Sequence, residues 1–337
     1  NTGKVMGAAV KADLTIAIQE YKLGHFLNDG KDYCGKIILK DIGLSVWDND
    51  FALRLEKSDV AKFFPERKHN VNKGDFGKSA IIGGSKKYSG SSLLSMNALS
   101  AYKVGTGYSF LFVPECVFGS VVGLYPETIV SSIKDDSNNF IFDKETLDNA
   151  MKNDAIAFGM GSGVTEEVYK SLKYLLENYT GNLIIDADGI NSLAKFGKEI
   201  LKNKKCKVVL TPHVKEFSRL CEKDVPTITE NSNIAIDFAR EFKVVIALKS
   251  NTTIITDGEK VILNTTGSPC MAKAGSGDVL SGLICGILSR SDDVFMGVSS
   301  ACYLFGLAGE IAEKEQNSYS VTASDIIYCI PKAINSL

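Results

Sequence analysis

Residues 79–113 read SAIIGGSKKYSGSSLLSMNALSAYKVGTGYSFLFV, and this stretch sets the fold class. Ser79-Ala80-Ile81-Ile82 is a short apolar run that ends at Gly83-Gly84-Ser85. From Ser91 to Val104, Leu94, Ala98, Ala101 and Tyr102 recur at helical spacing. Gly105 and Gly107 stop that helix, and Tyr108–Val113 reads as a buried strand, which completes a strand–helix–strand unit.

The alternation continues outward from this unit. Strands are expected at 154–158, 182–186, 207–211 and 243–249, and helices at 165–179 and 233–242. The strand runs are continuously apolar, as suits strands covered on both faces, so an α/β fold with a mainly parallel sheet and helices on both faces follows. Residues 252–256 and 260–264, joined by Asp257-Gly258-Glu259, read as an edge hairpin. Three helices close the chain, at 278–289, 292–315 and 324–335. Residues 5–18 and 37–42 read as strands around a glycine-bearing loop. The polar stretch from Ser45 to Lys73 is the linker candidate.

Composition narrows the function. The chain has 337 residues with 38 Lys+Arg against 40 Asp+Glu, a formal charge of −2 that gives no support for nucleic-acid or polybasic membrane partners. Apolar residues make up 45% and charged residues 23%, which excludes disorder as the main state. No uninterrupted apolar run approaches the ~18–20 residues of a membrane span. With no basic-then-apolar leader, the cytoplasm is the default location. The eight cysteines form no CxxC pair, so reduced, buried thiols are expected in place of a zinc site or disulfide framework.

In doubly wound sheets ligands bind outside the carboxyl ends of the strands. Six polar loops fall there: 83–85, 159–163, 186–189, 211–213, 249–253 and 274–278. In the last, Gly275-Ser276-Gly277 lets backbone amides approach a ligand, and the following helix aims its positive end at the same place. Such an arrangement holds a transferring phosphoryl group, and Asp278 is placed to take a proton from an attacking hydroxyl. Its position equally suits a helix cap, and neighbouring Lys273 tilts the reading toward function. Gly159–Gly163 does not fit the full GxGxxG spacing. His213 is either structural or part of a site; Glu216 is a capping carboxylate or a holder of hydrated magnesium. Lys249 is a solvent-facing charge or a phosphate ligand. Asp186 and Asp188 are metal ligands or turn formers.

Read in order, GGSKKYSGS (83–91), GMGSG (159–163), DADGINSLA (186–194), TPHVKEFSRL (211–220), LKSNTTIITDG (248–258) and GSPCMAKAGSGDVLSG (267–282) resemble the NAD(P)H-hydrate dehydratases of the ribokinase-like superfamily. The resemblance runs from about Gly74 to the C-terminus and implies one α/β domain, 74–337. It implies removal of water from hydrated NADH or NADPH, driven by ADP or ATP with Mg²⁺, in a homo-oligomer. By matching motif, Asp278 contacts the hydrate and acts as base, with Ser92, Gly161 and His213 lining the hydrate site. Lys249, Ser250, Asn251, Thr252 and Thr253 form the nucleotide loop, Gly277 touches the nucleotide, and Gly275 and Ser276 complete the anion hole. Glu216 is a water-mediated magnesium residue in this reading. The chain departs from the family at Ser92 (usually alanine), Val214-Lys215 (usually Pro-Gly) and Ser250 (usually glycine).

Residues 1–45 are similar to the last part of the NAD(P)H-hydrate epimerase domain that is fused upstream in bifunctional repair enzymes. The segment matching that domain's catalytic aspartate precedes Asn1, so the resemblance implies part of a two-domain protein, with a linker at 46–73, and no epimerase activity or other chemistry in residues 1–45. Two other readings stand beside the dehydratase. One is a vitamin-precursor kinase of the same superfamily, with the same anion hole and Asp278; the other is a nucleotide-binding module without turnover.

Overall fold

The computed structural model describes residues 2–45, 52–99, 101–223 and 228–337. Apolar runs without alternation become strands buried on both faces: Ala155–Phe158, Asn182–Ile185 and Val245–Leu248 have every residue buried. In chain order the strands are β1 (Leu14–Ile18), β2 (Lys36–Lys40), β3 (Leu53–Arg54), β4 (Lys78–Ile82), β5 (Tyr108–Pro114), β6 (Ile129–Ile133) and β7 (Ala155–Phe158). They continue as β8 (Asn182–Ile185), β9 (Lys207–Leu210), β10 (Val245–Leu248), β11 (Thr253–Thr256) and β12 (Val261–Asn264). Ten of them form one sheet in the order β3-β12-β11-β10-β9-β8-β7-β4-β5-β6. Every pairing from β10 through β6 is parallel, and β11 alone runs against its two neighbours. The α/β architecture with a mainly parallel sheet is therefore the one expected.

Alternate side chains of each strand feed two cores. One face, through Ile81, Leu111, Ala157, Ile184, Val209 and Ala247, packs on the helices Ser276–Leu288, Val294–Glu315 and Ala323–Asn335. The other, through Ile82, Phe112, Phe158, Ile185 and Leu210, packs on the helices Glu166–Asn178, Asp188–Phe196, Val214–Cys221 and Ile228–Phe242. Fully buried large residues such as Phe140, Phe158, Phe217 and Phe242 contribute about 1.5–3 kcal/mol each by leaving water.

Several expectations are corrected. The helix Val294–Glu315 is long and apolar enough to cross a membrane, with a mean hydropathy of 1.5 over its best window. Interspersed Ser and Gly hide it from a search for uninterrupted apolar runs. Yet 67% of that window is buried inside the fold, as befits a core helix. The hairpin β11–β12 is not the outermost pair, because β3 adds to β12 through Leu53 and Arg54. Thus part of the 46–73 stretch joins the sheet, and Val60 behind β3 is fully buried; residues 46–51 lie outside the described residues. Strand β6 and the helix Val214–Cys221 were not among the expected elements; that helix and Asp188–Phe196 are both amphipathic, burying Phe217 and Leu220, and Ile190 and Leu193. β6 is a half-buried edge strand carrying two serines, and the two helices are short. The last core helices start two residues earlier, two later and one earlier than expected. Of the eight cysteines, all free, Cys116 is exposed and Cys34 and Cys221 are half-buried; the other five are buried.

The N-terminal segment forms its own two-stranded parallel sheet, β1 with β2. Ile16, Ile18 and Leu39 of this sheet stay exposed. Between the strands, Leu27 is 1% exposed and packs in the second core.

Candidate active site

The loops after β4, β7, β8, β9 and β10 lie at the carboxyl edge of the parallel sheet, where helix N-termini converge. The helix Ser276–Leu288 begins there, with Gly275 in the capping position at φ +90°. That left-handed conformation favours glycine, and a Cβ would stand 2.4 Å from Leu94 Cδ1. Asp278 therefore sits in the first helical turn and is not the cap residue; the capping alternative falls. Ser276 Oγ is buried without a hydrogen-bond partner among the described residues, an orphan donor in the first turn. With first-turn amides that have no partner within the helix and a helix dipole beside it, this end suits an anion. Lys273 takes no part, for its ammonium goes to Tyr319 O at 2.5 Å.

Three charged groups meet here. Lys249, at the end of β10, donates from Nζ to Asp186 Oδ1 at 2.9 Å. Asp186, at the end of β8, accepts on its other oxygen from Ser281 Oγ at 2.6 Å. Ser281 lies one turn beyond Asp278 and also faces Thr211 Oγ1 at 3.4 Å. A Cβ at Gly277 would stand 3.2 Å from Lys249 Nζ, so the absent side chain leaves the backbone directly against the ammonium. Burial opposes the charge of Lys249, but Asp186, Glu216 and Asp278 outweigh it and raise its pKa. Lys249 is a half-buried, ion-paired cation and not a solvent-facing charge.

Asp278 is pushed up to about 7, first by burial and next by the Asp186 carboxylate, against the lowering effects of Lys249 and a hydrogen bond from Ser91. A carboxyl poised near neutrality can both accept and return a proton. Asp188 adds to the upward push while accepting from Gly163 N at 2.9 Å, which ties the loop after β7 to that after β8.

The hydrate-site candidates are arranged around this centre. Gly161 has φ +65°, and its Cβ would stand 2.8 Å from Tyr88 Cβ; only glycine lets the loops after β4 and β7 approach so closely. Ser92 is fully buried, and its hydroxyl donates to Ser89 O at 3.2 Å. A Cβ on Gly84 would stand 2.8 Å from that hydroxyl, so Ser92 supports the Gly83–Ser85 turn from below. His213 caps the helix Val214–Cys221: its Nδ1 accepts from Glu216 N at 3.2 Å, and Glu216 Oε2 accepts from His213 N at 2.8 Å. Burial lowers the His213 pKa despite the pull of Glu216, which leaves a neutral imidazole whose outer nitrogen lies 3.5 Å from Glu216 Oε1.

Glu216 is thus committed to a capping box. Among the described residues no group of three His, Cys, Asp or Glu converges as a metal site. A hydrated magnesium ion on nucleotide phosphates needs only one or two carboxylates, so the water-mediated assignment of Glu216 is left as it was, and no step is derived through the ion.

The loop 249–253 is braced from within and from outside. Ser250 Oγ donates to Thr252 O at 2.6 Å and accepts from Thr252 N at 3.3 Å, a serine turn at the position where glycine was expected. Asn251 and Thr252 turn their side chains toward the N-terminal segment, and Thr253 opens β11. Two residues that sequence reasoning missed, Ser91 and Ser281, support Asp278 and Asp186. Ser281 carried a usable signal in its three-residue spacing from Asp278; Ser91 had none. Two cavities lie away from this site: one at the opposite end of β7 and β8, around Asn153, Asn182 and Arg290, the other around Lys204, Arg240 and Val294.

The chain is similar to known proteins over most of its length. A family model described as NAD(P)H-hydrate dehydratase matches residues 79–332. The chain is 31% identical over 347 residues to the bifunctional NAD(P)H-hydrate repair enzyme Nnr of Thermofilum pendens, with 100% of this chain matched to 65% of that protein. It thus spans just under two thirds of that relative's length. It is 31% identical over 296 residues to the ADP-dependent (S)-NAD(P)H-hydrate dehydratase of Cenarchaeum symbiosum, covering 84% of this chain and 97% of that one. In solved structures it is similar to the ADP/ATP-dependent NAD(P)H-hydrate dehydratase from Bacillus subtilis co-crystallised with ATP/Mg²⁺. The TM-score is 0.72 at 26% identity, over 85% of this chain and 98% of that one. The fold is ribokinase-like, as the sequence implied.

Proposed function

The chain belongs to the NAD(P)H-hydrate dehydratase family, and from that premise we propose that it repairs hydrated NADH and NADPH by dehydration coupled to ADP hydrolysis. The observation that carries this reading is Asp278, a carboxyl held at about 7 in the first turn of a helix whose amino end is open to an anion.

Loss of hydroxide from a hydrated nicotinamide ring is slow because hydroxide leaves poorly. In the proposed reaction the substrate hydroxyl attacks the terminal phosphoryl of ADP while Asp278 takes its proton. A phosphate ester forms and AMP leaves. The ring-nitrogen electron pair then expels phosphate, and loss of a proton from the adjacent ring carbon restores the double bond of NAD(P)H. Hydrate and ADP become NAD(P)H, AMP and phosphate. Lys249 and the Gly275–Gly277 amides would stabilise the charge on the transferring group. Gly161, Ser92 and His213 would line the hydrate, and the 249–253 loop the nucleotide. The Cenarchaeum relative, named as ADP-dependent, favours ADP over ATP.

The test is absorbance of the reduced nicotinamide after mixing the protein with hydrated NADH and Mg²⁺, with ADP, with ATP and with neither. Recovery of NADH with ADP, and not without nucleotide, is the expected result. A stable phosphorylated product without recovered NADH would replace the dehydratase by a kinase. Nucleotide binding without any turnover would leave a binding module.

A further inference from the structure

The N-terminal segment, expected to be without a role in the chemistry, grips the loop assigned to the nucleotide. Thr252 Oγ1 donates to Phe26 O at 2.5 Å, Asn251 Nδ2 donates to Asn28 O at 2.9 Å, and Lys31 Nζ donates to Asn251 O at 3.1 Å. Three bonds thus join a stretch of six residues to two successive residues of the loop, more than 200 positions away in sequence.

The stretch is itself pinned. Leu27 is 1% exposed and is built into the core of the large domain. Gly24 and Gly30 approach so closely that a Cβ on Gly30 would overlap Gly24 O. Glu310 and Asp32 act on the Lys31 ammonium. Glu310 in turn accepts from Gly267 N at 2.8 Å, at the start of the block 267–282 that delivers Asp278.

Thr252 is fully buried, and its hydroxyl and the Asn251 amide are spent on the Phe26 and Asn28 carbonyls. Those side chains are committed to bracing, which leaves the loop's backbone and Lys249 to meet a ligand.

We propose that residues 26–31 are a positioning element for the nucleotide loop, with Lys31 and Thr252 as positioning residues that hold its backbone in the conformation that binds ADP. The proposal rests on the nucleotide reading of the site given above. Ordering the loop in advance removes an entropic cost that binding would otherwise meet. By linkage, ADP must tighten the N-terminal segment by the same factor that the segment tightens ADP.

The experiment uses the full chain. ADP affinity is measured by calorimetry for the native protein, Lys31→Met and Thr252→Val, together with melting temperature. Hydrogen exchange of residues 24–33 is followed with and without ADP. The expected result is about three- to tenfold weaker ADP binding in each variant, a kcat for Lys31→Met at saturating ADP within about twofold of native by the same arithmetic, and slower exchange in 24–33 when ADP is added. If Thr252→Val fails to fold, the half-buried end of the contact, Lys31→Met, decides. Unchanged ADP affinity in Lys31→Met with exchange insensitive to ADP would overturn the positioning role while the nucleotide site stands. A native protein that does not bind ADP would bring down the nucleotide reading, and this proposal with it.

Discussion

Replacing Asp278 by Asn separates catalysis from stability with opposite signs. In the native fold the carboxyl ionises near 7 in place of its ordinary 3.8, because burial and the Asp186 charge penalise the anion. Each tenfold in an acid constant is about 1.36 kcal/mol, so full ionisation in the fold costs about 4 kcal/mol of stability. The group is raised, so the stability associated with its neutral form is complete below the unfolded value and is lost as pH climbs through about 7. Asn carries no such penalty. In urea titrations at matched pH, Asp278→Asn is expected to equal native near pH 4, gain steadily to pH 7 and hold a level advantage above pH 8, all as estimates from that linkage. Turnover is expected to disappear while ADP binding persists. In the native enzyme kcat/KM rises with pH through about 7 as the base becomes available. A pH-independent stability difference, or an Asn variant less stable at pH 8 than native, would refute the argument that this carboxyl is held neutral by its surroundings.

Three further outcomes follow from the same geometry. Lys249→Met strips the partner from Asp186, which is 2% exposed in its side chain; a loss of about 3–5 kcal/mol is expected by denaturant titration, and part of it should return in the double variant with Asp186→Asn. Gly277→Ala places a Cβ 3.2 Å from Lys249 Nζ and is expected to weaken ADP binding about tenfold or more in calorimetry, while the helical Ala keeps or raises the melting temperature. Gly161→Ala combines φ +65° with a 2.8 Å approach to Tyr88, and a destabilisation of about 1–3 kcal/mol is expected, read as a lower melting temperature.

The parts legible in the sequence are those governed by local patterning. The runs at 79–82, 108–113, 182–185 and 245–248 are apolar without alternation because both faces are covered, so the parallel sheet could be read from them directly. The turn at Gly275–Gly277 was legible for a similar reason: glycines bracketing a serine just ahead of an apolar run mark a helix start. Strand β6 escaped, since an edge strand half-exposed to solvent lacks the burial that writes a hydrophobic signature. The two residues of β3 escaped because so short a strand leaves no period to detect.

Within the site, the chain by itself determined which residue types stand at the carboxyl edge: Asp278, Lys249, His213 and the glycines of loops 159–163 and 274–278. It left three ambiguities that tertiary structure resolved. Whether Asp278 is the cap residue depended on the helix starting two residues earlier, at Ser276. Whether Lys249 met solvent depended on Asp186, 63 positions away, reaching it at 2.9 Å. And residues 26–31 came to brace Asn251 and Thr252 only because Leu27 finds a place in the core of the larger domain. Local patterning encodes what a segment buries and where it turns. Which charges face one another, and hence their pKa values, is set by long-range packing that no window of sequence contains.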